Sequence, residues 1–206
     1  MPMLTIYLTR HGQTEWNLAR RMQGWGNAEL TSQGLQDAAS LGKRLQDIHL
    51  DAIYTSTSKR AYHTAEIIAG NRNINIIKED LFREMSFGDW EGRLIQEIEK
   101  EFPAEYKSFW ETPHLYTRDQ GELFSDVQKR AESALRLIIK KHPSGTVLVV
   151  AHSIFLRILI AYINRIPMED LFKQKALGHT SLTKANVKDG VANIVFEGDL
   201  SHVNDK

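Results

Sequence analysis

Near the start of the chain Leu4, Ile6 and Leu8 alternate with Thr5 and Tyr7, the period-two pattern of a strand. The run leads directly into Thr9-Arg10-His11-Gly12, where glycine lets the backbone turn sharply. After Thr31, a residue suited to an N-cap, Leu35, Ala38, Leu41, Leu45 and Ile48 recur at spacings of three and four and predict an amphipathic helix. Ala52-Ile53-Tyr54 is a short strand ending at Thr55-Ser56-Thr57-Ser58. The helix predicted next sets Ala61, Ala65 and Ile68 on one face, with Arg60 in or near its first turn. Asn75-Ile76-Ile77 is a weaker strand candidate.

From Phe82 to Phe124 the periodicity degrades into charge, glycine, proline and aromatics, which predicts irregular structure with short helices. Order returns at Ser125, which with Gln128 fits a capping box. Val127, Ala131, Ala134 and Ile138 then line a helix face. Pro143-Ser144-Gly145 stops that helix, and Thr146 to Ala151 is a continuous β-branched run, as a strand buried on both faces would be. It ends at His152-Ser153, and Ile154 to Ile163 reads as a helix. Strands around Ser181 to Lys184 and Val191 to Phe196 flank Lys188-Asp189-Gly190, a hairpin-turn signal. Strands alternating with helices predict an α/β fold: a three-layer sandwich whose mainly parallel sheet is flanked by helices. We expect one domain over residues 1–206, with a lid-like insertion at about 85–124.

Composition narrows the partners. Lys+Arg and Asp+Glu stand at 26 each, so no excess of positive charge is available for a nucleic-acid backbone. Cysteine is absent, which removes disulfides, thiolate metal sites and cysteine nucleophiles. No apolar run approaches the ~20 residues that span a bilayer, and no leader pattern opens the chain. These features predict a soluble, cytoplasmic protein without a membrane or nucleic-acid partner, and leave monomer and homodimer both open.

Arg10-His11, Arg60 and His152 each follow a predicted strand. In open α/β sheets the loops at the carboxyl ends of parallel strands form the ligand crevice. Two guanidiniums and two imidazoles at one sheet edge suit a dianionic phosphate, because arginine stays charged and matches phosphate oxygens with paired donors. The chain has no G-x-x-x-x-G-K-[ST] loop, HExxH pair or compact aspartate cluster. With no cysteine either, an imidazole nucleophile is the remaining route to phosphoryl transfer, and neither a metal nor another cofactor is expected.

The block Leu8-Thr9-Arg10-His11-Gly12-Gln13-Thr14-Glu15-Trp16-Asn17 resembles the opening signature of the histidine phosphatase superfamily, the phosphoglycerate-mutase-like proteins. The likeness continues in family order through Arg21-Met22-Gln23-Gly24-Trp25, Leu30 to Gly34, Tyr54 to Ala61, Arg83 to Gly92 and Val150-Ala151-His152-Ser153. It implies that His11 is the nucleophile and that Arg10, Arg60 and His152 clamp the phosphoryl oxygens. Asn17 would add a neutral donor, with Gln23, Gly24 and Ser153 at the pocket. Glu84 would protonate the leaving alcohol and later take a proton from water. Neighbouring guanidiniums favour the neutral His11 that attack requires. They oppose a protonated Glu84, an effect that a bound phosphate dianion would offset.

Two features depart from the family pattern: Asn27-Ala28-Glu29 replaces Asp-x-Pro before Leu30-Thr31, and Ser153 stands where glycine is frequent. The block Arg83 to Trp90 resembles the phosphatase branch rather than the mutases, and Phe109 to Tyr116 is similar to its broad-specificity bacterial members. The expected function is hydrolysis of small phosphomonoesters through a phosphohistidine. The lid aromatics Phe102, Tyr106, Phe109, Trp110, Tyr116 and Phe124 would meet the leaving group. A cofactor-dependent phosphoglycerate mutase and a catalytically silent phospho-ligand-binding module are the alternatives. Trp16, Trp25 and Trp90 are expected to be packing residues. His63 is expected to be a hydrogen-bonded helix residue, and His179, near a strand end, is ambiguous.

Overall fold

The computed structural model describes residues 3–203, and the outermost positions of the expected 1–206 unit lie outside the described residues. In chain order the main elements are β1 (Leu4–Arg10), α1 (Glu15–Leu18), α2 (Ser32–Arg44), β2 (Ala52–Thr55), α3 (Lys59–Ala69) and β3 (Ile76–Lys78). They continue as α4 (Ile95–Glu101), α5 (Pro103–Glu111), α6 (Phe124–Lys141), β4 (Gly145–Ala151), α7 (Ser153–Asn164), β5 (Leu182–Lys188) and β6 (Val191–Asp199). The strands form one sheet in the order β3-β2-β4-β1-β5-β6. β1, β2, β3 and β4 are mutually parallel, while β5 and β6 run antiparallel as a hairpin. Asp189 and Gly190 both have positive φ at the turn, +52° and +77°, as a tight right-twisting hairpin requires.

The sheet is buried on both faces because its strands send alternate side chains to two cores. Leu4, Ile6 and Leu8 of β1 and Val147, Val149 and Ala151 of β4 share one core with Ala131, Ala134 and Ile138 of α6 and with α7. Tyr7, Leu148 and Val150 point the other way, onto Leu41 and Leu45 beside Ala61, Ala65 and Ile68 of α3. Each such aliphatic burial contributes about 1.5–3 kcal/mol before chain entropy is counted. This is the expected three-layer arrangement.

Three local expectations need correction. α6 begins at Phe124, not after Ser125, and its N-cap is Leu123, whose N–H donates to Asp126 Oδ2 at 3.3 Å. The earlier start places Phe124 on the same stripe as Val127 and Ala131, where it is buried. Leu35 is 37% exposed, because the first turn of α2 presents the backbone of Gly34, not Leu35, to its neighbour. Ile48 lies beyond the end of α2. Trp90 packs fully buried, and Trp25, 41% exposed, packs at the surface with the Arg83 guanidinium stacked 3.8 Å above it.

The segment over 85–124 is packed. Met85, Phe87, Trp90, Ile98, Phe109, Tyr116 and Phe124 belong to the same core as the α6–α7 face of the sheet. Edge-on contacts such as Phe109 to Tyr116, at 5.3 Å between centroids, join them.

Gly12 and Gly34 fix how closely the loop after β1 approaches α2. A Cβ on Gly34 would stand 2.2 Å from Gln13 O, and one on Gly12 would stand 2.7 Å from Gly34 O. Gly12 is therefore required for close backbone approach, and its φ is not among the positive ones. Alanine is the better helix former by about 1 kcal/mol, yet Gly34→Ala is expected to lower the thermal midpoint, because the clash is with backbone. Thermal unfolding followed by circular dichroism checks the sign.

Candidate active site

β1 and β4 are parallel neighbours with Arg10 paired to Ala151, so the residues that follow them leave the sheet side by side. The His11 N–H donates to Ala151 O at 3.0 Å, and the His11 and His152 rings lie 5.1 Å apart. Next to β4 on its other side, β2 delivers the turn into α3, whose first turn carries Arg60. One cleft is lined by Arg10, His11, Asn17, Gln23, Gly24, Arg60, Glu84 and Ser153. His152 is fully buried behind it.

Hydrogen bonds assign the protons on the imidazoles. His11 Nδ1 lies 2.7 Å from Gly12 O, which can only accept, so Nδ1 carries the proton and Nε2 keeps its lone pair. Arg60 Nε–H donates to that Nε2 at 3.2 Å. Arg60 Nη2 donates to His152 Nδ1 at 3.1 Å, so the His152 proton is on Nε2, beside Ser58 Oγ at 3.3 Å. Arg60 Nη1 also donates to Gly26 O at 2.6 Å and Nη2 to Gly24 O at 2.7 Å. Arg10 Nη1 donates to Leu177 O at 3.0 Å, while Arg10 Nε is buried with no hydrogen-bond partner among the described residues.

Burial, aided by Arg60, pushes both His11 and His152 well below the ordinary histidine value. Burial also lowers Arg10 and Arg60 to about 10, opposed by Glu84, and both remain charged at neutral pH.

Glu84 is not a surface ion-pair residue, because it is 7% exposed. Its Oε1 accepts the N–H groups of Met85 at 2.9 Å and Phe155 at 3.0 Å, and Oε2 accepts that of Ile154 at 3.1 Å. The carboxylate thus caps the first turn of α7, whose N-cap residue His152 makes no side-chain cap bond. Arg83 and Arg93, the arginines nearest to it along the chain, pair with Asp80 and Glu101.

Asn17 Oδ1 accepts from Thr14 N–H at 3.0 Å and Thr14 Oγ1 at 2.9 Å, and Gln23 Nε2 donates to Thr14 Oγ1. Beyond the polar floor the cleft is walled by Met22, Phe87, Ile95, Phe109, Trp110 and Ile154, with Arg21 at one side. Of the six lid aromatics, only Phe109 and Trp110 line it among the described residues. Phe102, Tyr106, Tyr116 and Phe124 pack inside the segment or on the core. His63 is exposed, away from this cleft.

Two residues of the site were given no role by sequence, which left His179 ambiguous and named Arg21 only within a longer block. Arg21 lies two positions before Gln23, which was the available signal. His179 stands with its ring 6.0 Å from that of His11 and its Nε2 3.0 Å from Asn17 Oδ1. Its signal was proximity to the amino end of β5, which meets the carboxyl end of β1 because the two strands are antiparallel.

With this geometry in place, comparison with known proteins is decisive. Residues 6–199 match the model of the histidine phosphatase superfamily, branch 1. Phosphoserine phosphatase 1 of Hydrogenobacter thermophilus is 36% identical over 155 residues, covering 75% of this chain and 74% of that protein. A probable phosphoglycerate mutase, GpmB, of Erwinia tasmaniensis is 29% identical over 98% of this chain and 96% of its own. The solved structure of Bacillus stearothermophilus YhfR superposes with a TM-score of 0.96 at 46% identity, covering 98% of this chain and 100% of that one. The chain belongs to the histidine phosphatase superfamily. It is a phosphoric monoester hydrolase acting through histidine.

The buried imidazoles set a pH dependence of stability. His11, His152 and His179 are neutral in the fold, with His179 pushed down to about 3 by burial and Arg10. In the unfolded chain each takes a proton near pH ~6.5. Stability is therefore full above that pH and falls as pH drops below it, by about 1.4 kcal/mol per pH unit per histidine. The thermal midpoint is expected to fall from about pH 7 to about pH 5, and to fall less in His179→Gln, as differential scanning fluorimetry can measure.

Proposed function

We propose that the chain hydrolyses small phosphomonoesters with broad tolerance of the leaving group, through a phosphohistidine on His11 and without a metal ion. The observation that carries this reading is the His11 ring: Nδ1–H is committed to Gly12 O, so the Nε2 lone pair is the one available, with the Arg60 guanidinium against it in a cleft that Arg10 also lines. Arg60 Nε–H shares that lone pair in the free enzyme, and an entering phosphate oxygen takes over the donor as Nε2 turns to phosphorus. Arg10 and Arg60 supply the positive charge that equatorial oxygens need in the transition state. No step then calls for a Lewis acid.

His152 donates to the phosphoryl group only after gaining a proton at Nδ1, where Arg60 now donates to it. An adjacent dianion favours that gain. The Asn17 carboxamide adds a neutral donor, and Gln23, Gly24 and Ser153, the first residue of α7, border the pocket. Glu84 gives its proton to the leaving alcohol as the P–O bond breaks, then takes one from the water that attacks phosphohistidine. Inorganic phosphate leaves and His11 returns to its neutral form.

The apolar wall, with Phe109 and Trp110 opposite the phosphate floor, supports aromatic or apolar leaving groups held with loose selectivity. A mutase needs a further anion site for its acid substrate. Arg21 is the one cation that lines the cleft beyond Arg10 and Arg60 among the described residues, and its Nη1 donates to Gly92 O at 2.6 Å. Hydrolysis is therefore the better-supported reading beside relatives of both names.

Rapid quenching should trap an acid-labile, base-stable phosphoenzyme in the wild type and none in His11→Ala. An adduct surviving in His11→Ala would move the nucleophile to His152. Glu84→Gln should slow single-turnover phosphorylation by alkyl phosphates about 10²–10⁴-fold, and by p-nitrophenyl phosphate only modestly, since nitrophenolate departs without a proton. Equal slowing of both would leave Glu84 as the cap of α7 and nothing more.

A further inference from the structure

We propose that His179 is a positioning residue for phosphoryl binding: its imidazole fixes the Asn17 carboxamide with its NH2 group committed to the phosphate site. This rests on the phosphomonoesterase reading above. Asn17 Oδ1 receives three donors, Thr14 N–H at 3.0 Å, Thr14 Oγ1 at 2.9 Å and His179 Nε2 at 3.0 Å. An amide turned over at this place would set N–H groups against those donors. Only one orientation is compatible, and in it the nitrogen is left for the cleft that Asn17 lines with Arg10 and His11.

Because the amide oxygen only accepts, His179 must carry its proton on Nε2. Thr14 can supply its two bonds from the capping box of α1 alone. His179 is the donor that comes from a distant part of the chain, and so ties the amide to the rest of the site.

The loop bearing His179 is built onto the nucleophile loop from both ends. Arg10 Nη1 donates to Leu177 O at 3.0 Å, and Thr180 N–H donates to Arg10 O at 3.0 Å. Thr180, next to His179, has φ +56°. A β-branched residue in this left-handed region costs on the order of 1–2 kcal/mol, so the conformation persists only where its surroundings enforce it. The strained backbone delivers His179 to within 6.0 Å of the His11 ring, centroid to centroid. Burial and Arg10 hold the imidazole neutral, so it serves as a hydrogen-bond donor and not as a further phosphate cation.

The test compares orthovanadate inhibition of p-nitrophenyl phosphate hydrolysis in wild type, Asn17→Ala, His179→Ala, His179→Gln and the double alanine variant. Losing one fixed donor to a charged group should weaken inhibition about tenfold in His179→Ala and by a similar factor in Asn17→Ala. The double variant should lose no more than Asn17→Ala does. His179→Gln, whose Nε2 can stand near the imidazole Nε2, should come within about twofold of wild type. If the alanine variant does not fold, His179→Leu serves as the variant without a donor. Additive losses, wild-type inhibition in the variant lacking the donor, or no recovery in His179→Gln would overturn the positioning role. If Asn17→Ala alone changes nothing, the phosphate-site reading of Asn17 fails and this inference with it. If Asn17→Ala weakens inhibition while His179→Ala does not, that reading stands and only the role of His179 falls.

Discussion

The site depends on one buried guanidinium. Arg60 is 2% exposed, and a charge taken out of water costs several kcal/mol unless its donors are met. Two backbone carbonyls and two imidazole nitrogens meet four of its five N–H donors here. Because guanidinium only donates, both histidine nitrogens facing it must be acceptors. One residue thereby selects the tautomers of His11 and His152, adds to the burial that keeps both rings neutral, and places positive charge beside the lone pair proposed to attack.

Glu84 extends the same economy of parts. Its carboxylate serves the orphan N–H groups at the start of α7, a structural task that any N-cap aspartate or serine could perform. It does so from the loop before residue 85, and therefore lines the cleft from outside α7 itself. The cap ties the carboxyl proposed as proton donor to the helix that begins immediately after His152, so Glu84 and the second histidine share one support. The electrostatic balance of the cleft is completed by the substrate: three guanidiniums, Arg10, Arg21 and Arg60, stand against one carboxylate in its lining, and a phosphate dianion offsets that excess of positive charge.

How much of this was legible in the sequence follows from which interactions are local. Strand period, helix stripes and the hairpin signal at Lys188-Asp189-Gly190 depend on neighbours a few residues apart, and they marked the strands and longer helices of the α/β sandwich. Arg10, His11, Arg60 and His152 were readable because each follows a strand, and parallel strands present their carboxyl ends together. Boundaries failed where burial outweighed capping chemistry, as at Phe124, whose place in the core drew α6 back past Ser125.

Tertiary structure alone decided the rest. The register of β1 against β4 set the two rings 5.1 Å apart, and no pattern within either strand specifies its partner's register. Only packing separated Phe109 and Trp110, which reach the cleft, from the aromatics beside them that fill the core. His179 escaped the carboxyl-end rule because β5 is antiparallel, and an antiparallel strand reaches that edge with its amino end. The sequence by itself determined the chemistry available, since residue types and their order after each strand are local facts. Which groups share protons, and which face substrate, was decided by strand direction and burial, which belong to the assembled sheet.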